Sequence, residues 1–262
     1  MAAPMTRWHD LESALDRCAA EGHGVTFWWR DDDAGRSMPA LDQLLSLAAR
    51  FGAPIGLAVI PTTLDDLALT RIMSEPLATP LLHGLAHHNN AQSGEKKSEF
   101  PASRSLELMR DDVRYGFHLL RAAFGGRALP VLVPPWNRLA TALIPALPTI
   151  GIAGLSRYLA RDAAMAAPML RQVNCHVDLI DWQSTRGFIG EEAALRLVLA
   201  NLDARRSGVA DPGEPIGLLS HHQNHDDACW SFLEAFLACL ARHKASRIIA
   251  PAELFPEACR AA

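Results

Sequence analysis

The chain has 262 residues, 49% apolar and 21% charged, a length and balance that suit one β/α barrel better than two small domains. Its net charge is −4 and no run of lysine or arginine exceeds two residues, so it lacks the concentrated basic surface that nucleic acid or an anionic membrane requires. Five cysteines, odd in number and without a CxxC pair, fit free thiols in a reducing compartment rather than a disulfide framework.

The segment from Met1 to Asp10 has no apolar core of signal-peptide length, and Trp8–Ala20 reads as a helix. No apolar run reaches membrane-spanning length, so a cytoplasmic location is expected. Short apolar stretches then alternate with amphipathic ones. Strands are predicted at Val25–Arg30, Ile55–Ile60, Thr79–Leu82, Val131–Val133, Ala153–Leu155, Leu170–Val173, Ile216–Leu219 and Arg247–Ile249. Helices are predicted at Leu41–Arg50, Leu64–Ser74, Ser105–Phe124, Leu139–Ile150, Glu191–Arg206 and Asp226–Arg242. This alternation implies a parallel α/β sheet, and seven or eight units favour closure into a distorted (β/α) barrel spanning residues 1–262 as one domain. Gly151–Asp178 is the least regular stretch and the expected place for a distorted unit. Two long loops are expected, His88–Ser103 and Gly208–Pro215. The first is either a mobile lid or an inert surface excursion.

Residues with chemistry gather where a barrel puts its working groups, just after the strands. Arg30-Asp31-Asp32-Asp33 follows the first strand and His83-Gly84-Leu85-Ala86-His87-His88 the third. Pro134-Pro135-Trp136-Asn137-Arg138 follows the fourth, Asp178-Leu179-Ile180-Asp181-Trp182 the sixth, and His221-His222-Gln223-Asn224-His225 the seventh. His83, His87, His88, His176, His221, His222 and His225, seven of the eleven histidines, fall in these zones.

His83 and His87, four residues apart, can present two imidazoles to one ion if the backbone makes a helical turn, and a carboxylate from another strand end would complete a common catalytic set. Three adjacent carboxylates repel one another, so Asp31, Asp32 and Asp33 call for a cation and for the Arg30 guanidinium. In an extended chain Arg30 and Asp32 share a face, which would pair a general base with a guanidinium. His221 or His222 is suited to protonating a leaving amine. Trp136 and Trp182 read either as core residues or as the walls of a sugar-binding groove. Cys175 beside His176 reads as a buried thiol rather than a ligand.

These motifs, in this order, resemble the polysaccharide deacetylase family (carbohydrate esterase family 4, the NodB-homology domain) over about Val25 to His222. Each is weak alone; together they are specific. The resemblance implies a distorted β/α barrel that hydrolyses N-acetyl groups on sugars. It implies Asp32 as general base, Asp33, His83 and His87 as ligands of a divalent metal, zinc before cobalt, nickel or manganese, and the Trp136 N–H as oxyanion donor. Asp31-Asp32 remains an alternative register for the base and ligand pair. His221 would be the general acid, with His222 the alternative. Asp181 would orient it or an arginine, and Pro135, Trp136, Asn137, Trp182 and His222 would meet a small-molecule or oligosaccharide substrate.

The chain also departs from the family pattern. Val133 stands where the family arginine braces the base, so Arg30, Arg138 or Arg186 must substitute. Gly84 replaces the hydroxyl residue that steadies the histidine loop. Rival expectations are a metal-free cyclic amide or ureide hydrolase on the same barrel, a non-catalytic sugar- or metal-binding barrel, and an O-acyl esterase.

Overall fold

A computed structural model describes residues 7–261; residues 1–6, part of the segment read above as lacking a leader, lie outside the described residues. Helix α1 (Trp8–Ala20) precedes β1 (Val25–Ala34), α2 (Pro39–Phe51), β2 (Ile55–Val59), α3 (Asp66–Met73), β3 (Ala78–Leu82) and α4 (Leu106–Phe124). The strands β4 (Val131–Leu132), β5 (Gly154–Leu155), β6 (Met165–Ala167), β7 (Leu170–Gln172) and β8 (Val177–Asp178) are short. The chain ends with α5 (Glu191–Arg206), β9 (Ile216–Ser220), α6 (Asp227–Arg242), β10 (Ser246–Ile248), α7 (Pro251–Leu254) and α8 (Pro256–Ala261). Side-chain caps start three of the helices: Asp65 for α3, Ser105 for α4 and Asp226 for α6 each accept an amide of the first turn. Among the described residues no helix is long and apolar enough to cross a membrane.

The sheet runs β6-β7-β5-β4-β3-β2-β1-β9-β8, with β10 beside β1. Every pairing is parallel except β6 with β7. The segment from β7 to β8 closes the curl. Cys175 donates to the Arg157 carbonyl and accepts from Leu159 on one side, while His176 donates to Gly217 on the other. The result is the expected distorted barrel. Gly217 permits the closure, since a Cβ there would lie 2.5 Å from the Asn174 carbonyl and from the Trp28 indole nitrogen.

Strand alternation sorts β1 into two layers. Phe27 and Trp29 pack outward under the helices, whereas Trp28 packs inward with Ala58, Leu81, Val133, Cys175 and Leu219. Phe255, between α7 and α8, plugs the inner core edge-on against Trp28 at 6.3 Å. Arg30 and Asp32 continue the inward set of Trp28. Asp31 continues the outward set.

Four expectations are corrected. The helix expected over Leu139–Ile150 is two 3-10 stretches, Thr141–Ala146 and Pro148–Ile150, because Pro145 and Pro148 have no N–H to donate. The aspartate triplet does not follow β1; it lies inside it, with Asp31 and Asp32 buried. His176 is not at the barrel mouth: it lies just before β8, buried with Glu214 and Arg205. The irregular Gly151–Asp178 region holds a hairpin, β6–β7, of which only the second strand was anticipated.

Candidate active site

A cavity of about 660 Å³ opens at the C-terminal ends of the strands. Asp32 and Asp33 from β1, His83 and His87 after β3, Trp136 after β4 and His221 after β9 all line it.

The loop after β3 positions the two histidines. His83 Nδ1 lies 2.9 Å from the Val133 carbonyl oxygen, which only accepts, so Nδ1 carries the proton. Nε2 faces Asp33 Oδ1 at 3.1 Å, as a donor when the ring is protonated and as a lone pair when it is neutral. His87 Nε2 lies 3.3 Å from the same oxygen. Two ring nitrogens and a carboxylate oxygen thus converge within 4.8 Å of one another. A lone pair facing the carboxylate would be repulsive, and either a proton on Nε2 or a cation between the two removes the conflict. Asp33, His83 and His87 fit a divalent metal in ligand type, and the Val133 carbonyl supplies the outer hydrogen bond such histidines need. With no cation between them, the same contact favours a protonated His83 paired with an ionised Asp33. Burial opposes charge on Asp33, but the hydrogen bond from His83 and the imidazoles of His83, His221 and His87 hold its carboxyl well below the usual range. Burial also opposes protonation of His83, yet Asp32, Asp33 and the Val133 carbonyl raise it. His87 is lowered by burial and by the neighbouring His83.

Gly84 is required by this loop. It has φ +65°, and a Cβ would fall 1.8 Å from Glu99 Oε2. Glu99, from the 88–103 loop, accepts hydrogen bonds from the amides of Ala86 at 2.9 Å and Leu85 at 3.3 Å. A buried carboxylate thus braces the turn between the two histidines. That loop is tied down: Asn90 donates to the Glu99 carbonyl, Ser98 donates to the Arg138 carbonyl, and Phe100 is fully buried.

Arg30 braces Asp32. Its Nε and Nη2 donate to the two carboxylate oxygens at 2.8 and 2.9 Å. The guanidinium is fixed in turn by Ser156 Oγ, the Arg157 carbonyl and Asn137 Oδ1. Arg30 therefore stands beside Asp32; Arg138 and Arg186 line the cavity wall instead. Asn137, expected at the substrate, lines the cavity but spends its carbonyl oxygen on Arg30.

His221 lies between two carboxylates, Nε2 at 3.9 Å from Asp32 Oδ2 and Nδ1 at 3.8 Å from Asp178 Oδ1. The Trp182 indole packs edge-on against it at 4.7 Å and donates to Asp178 Oδ2 at 2.9 Å. Burial raises Asp178, against the pull of His221 and these hydrogen bonds. Asp178, not Asp181, is therefore the carboxylate beside His221. Asp181 accepts from Gln183 and Ser184 in an exposed turn. Sequence reasoning quoted Asp178 within Asp-x-x-Asp-Trp but gave the orienting role to the wrong member. Tyr158, Lys97 and Glu99 were missed as well, because none belongs to a motif.

His222 is placed away from the substrate space. It is buried, its Nδ1 bonds to Asp31, and its backbone N–H donates to Asp31 Oδ2 at 3.0 Å. Ser220 Oγ donates to the same carboxylate and accepts from the Trp29 indole at 2.8 Å. Asp31 and His222 thus engage each other away from the cavity that their neighbours Asp32 and His221 line. Pro135 is buried beneath the cavity rather than lining it. Cys175 is a buried thiol raised by its burial.

Backbone strain gathers at the same place. Asp33 (φ 70°), His87 (53°), Trp136 (56°), Asn137 (57°) and Arg186 (56°) are left-handed non-glycine residues, and all five line the cavity. Such conformations cost roughly 1–3 kcal/mol each and persist where the surroundings over-determine them, typically at working sites.

Solved structures with this architecture include a Mycobacterium smegmatis protein assigned as a polysaccharide deacetylase, at TM-score 0.67 and 14% identity, covering 98% of this chain and 94% of that one. The fold is that of the polysaccharide deacetylases. The Bacillus subtilis peptidoglycan deacetylase PdaC matches this barrel at TM-score 0.57 and 11% identity, over 89% and 91% of the two chains. A Clostridium thermocellum family 4 acetyl xylan esterase, solved with a cobalt ion, matches at 0.56 and 14%, over 88% and 90%. Neither a family sequence model nor a curated protein sequence matches the chain.

Proposed function

We propose that this protein is a metal-dependent hydrolase that removes an acetyl or related acyl group from an N-acylated sugar or similar amide. The observation that carries the reading is the convergence of Asp33, His83 and His87 at one edge of a cavity that also holds an arginine-braced Asp32 and His221. The names of the fold neighbours, deacetylases and a cobalt-bound esterase, point the same way.

A divalent cation, zinc before cobalt, nickel or manganese, would be held by Asp33, His83 and His87 and supply Lewis acidity toward the acyl carbonyl and a water. Asp32 accepts the proton of the attacking water, and Arg30 keeps that carboxylate aimed at the cavity. Trp136, held in its strained turn, offers its N–H to the oxygen that gains charge. Donors of this kind are worth about 3–4 kcal/mol in other hydrolases. His221 passes a proton to the departing amine, and Asp178, 3.8 Å from its Nδ1, provides a carboxylate beside the ring. Trp182 and Trp136 present flat faces suited to a sugar ring. The three ligating groups speak against the metal-free cyclic amide reading, which has no use for them.

The test is acetate release from N-acetylglucosamine oligomers and acetylated amines, with and without a chelator. Release that stops on chelation and returns with zinc or cobalt supports the reading. Release unaffected by the chelator contradicts it.

A further inference from the structure

Three cations line the cavity, and each comes from a different loop: Lys97 between β3 and α4, Arg138 after β4, and Arg186 after β8. They gather in a chain whose overall charge is −4. The carboxylates that share the cavity are already engaged. Asp32 takes Arg30, Asp33 faces His83 and His87, and Asp178 accepts from Trp182 and the Ile180 amide. Among the described residues no carboxylate lies within ion-pair distance of Lys97, Arg138 or Arg186.

Two features fix this arrangement. Arg138 Nη1 donates to the Lys97 carbonyl at 3.1 Å, and Ser98 Oγ donates to the Arg138 carbonyl at 3.1 Å. These bonds stitch two loops together and fix Lys97 and Arg138 on the same wall of the cavity. Arg186 sits at φ 56° in a turn closed by its own amide, which donates to the Asp181 carbonyl at 2.8 Å. A guanidinium presents paired N–H groups that match the oxygens of a phosphate or carboxylate.

We infer that the substrate of this cavity carries an anionic group, a phosphate or a carboxylate, held by Lys97, Arg138 and Arg186 while the acyl group lies at the Asp33–His83–His87 edge. The inference rests on the acyl-hydrolase reading of the same cavity and narrows its substrate to charged acylated sugars. Phosphate and carboxylate share the recognising chemistry. Exposed cations draw such a ligand in through a field that salt weakens.

The experiment is calorimetric titration of the full-length protein with three sugars: neutral N-acetylglucosamine, its 6-phosphate, and N-acetylmuramic acid, which carries a carboxylate. In about 50 mM salt at least one charged sugar should bind about tenfold more tightly than the neutral one, with the advantage shrinking as salt is raised. The better of the two identifies the anion. Lys97→Ala/Arg138→Ala/Arg186→Ala should remove the advantage, and Arg186→Glu, a single exposed change, should reduce it should the triple variant fold poorly. Equal binding of charged and neutral sugars, or an advantage that survives the substitutions, overturns the inference. Acetate release measured in parallel separates the two readings. Preferential binding without release keeps the anion site and sinks the hydrolase, whereas release without preference does the reverse.

Discussion

Asp31 and Asp33 stand two residues apart on β1 and both meet histidines, yet they build opposite kinds of site. Asp31 points outward beneath α6, where His222, Ser220 and a backbone amide satisfy its oxygens in a closed cluster. Asp33 has the same parity, but its φ of 70° and the register shift between Asp31 and Ala34 turn its carboxylate to the cavity. There it faces two imidazole nitrogens that lie within reach of one cation. The lesson is that a carboxylate–histidine pair by itself says little. A pair closed off by burial and further donors makes a structural joint; a carboxylate oxygen shared by two imidazoles at a cavity wall makes a candidate metal site.

The sharpest break between the two clusters lies in what each residue controls. Asp32→Asn removes the proton acceptor and should cut turnover by about 10³-fold, within the range of positioned bases, while metal content is unchanged. Steady-state rates alongside metal analysis check this. His222→Ala should do the opposite, retaining metal and losing about 3 kcal/mol of stability in chemical denaturation, since it strands the buried Asp31 charge. The pH dependence follows from the same pair. Asp31 raises His222 against its burial, so that share of stability is whole below about pH 6.5 and is lost as pH climbs through the raised value. His222 lowers Asp31 against its burial, so the second share is whole above about pH 3.8 and is lost as pH falls through the lowered value. The pair should therefore stabilise most fully between about pH 4 and 6.5, and His222→Ala should flatten the loss on the alkaline side.

Smaller effects sharpen the boundary of the working site. Asp178→Asn should lower kcat roughly 30-fold by freeing the His221 ring, as loss of an orienting partner commonly does. Glu99→Ala should weaken zinc binding about tenfold in a competition titration, because the turn between His83 and His87 loses its brace. Asp181→Ala should change rate and stability least, by about 0.5 kcal/mol or less, since its partners lie in an exposed turn.

Much of this was legible in the sequence where local rules act. The alternation of Trp28, Trp29, Arg30 and Asp32 gave the Arg30–Asp32 pairing, and the spacing of His83 and His87 marked a ligand pair. Their meeting with a carboxylate of the triplet follows from the barrel rule that strand ends converge, whereas the choice of Asp33 comes from the family resemblance. What stayed hidden depends on exceptions to periodicity or on distant partners. The left-handed turn at Asp33 separates it from Asp31, and no pattern distinguishes His221 from His222 until the strand ends at Ser220. Glu99 lies 15 residues beyond Gly84 in a loop without periodicity, so nothing local announces that its carboxylate fills the space the missing side chain leaves. The helix expected at Leu139–Ile150 failed for a local reason, Pro145 and Pro148, that the apolar spacing outweighed.

The most direct measurement is anomalous diffraction at the zinc edge from crystals of the zinc-loaded protein. The account expects one strong peak bonded at about 2.0–2.2 Å to Asp33, His83 and His87, and its loss in His83→Ala. A protein that takes up no metal, or a peak at any other group of residues, would contradict it.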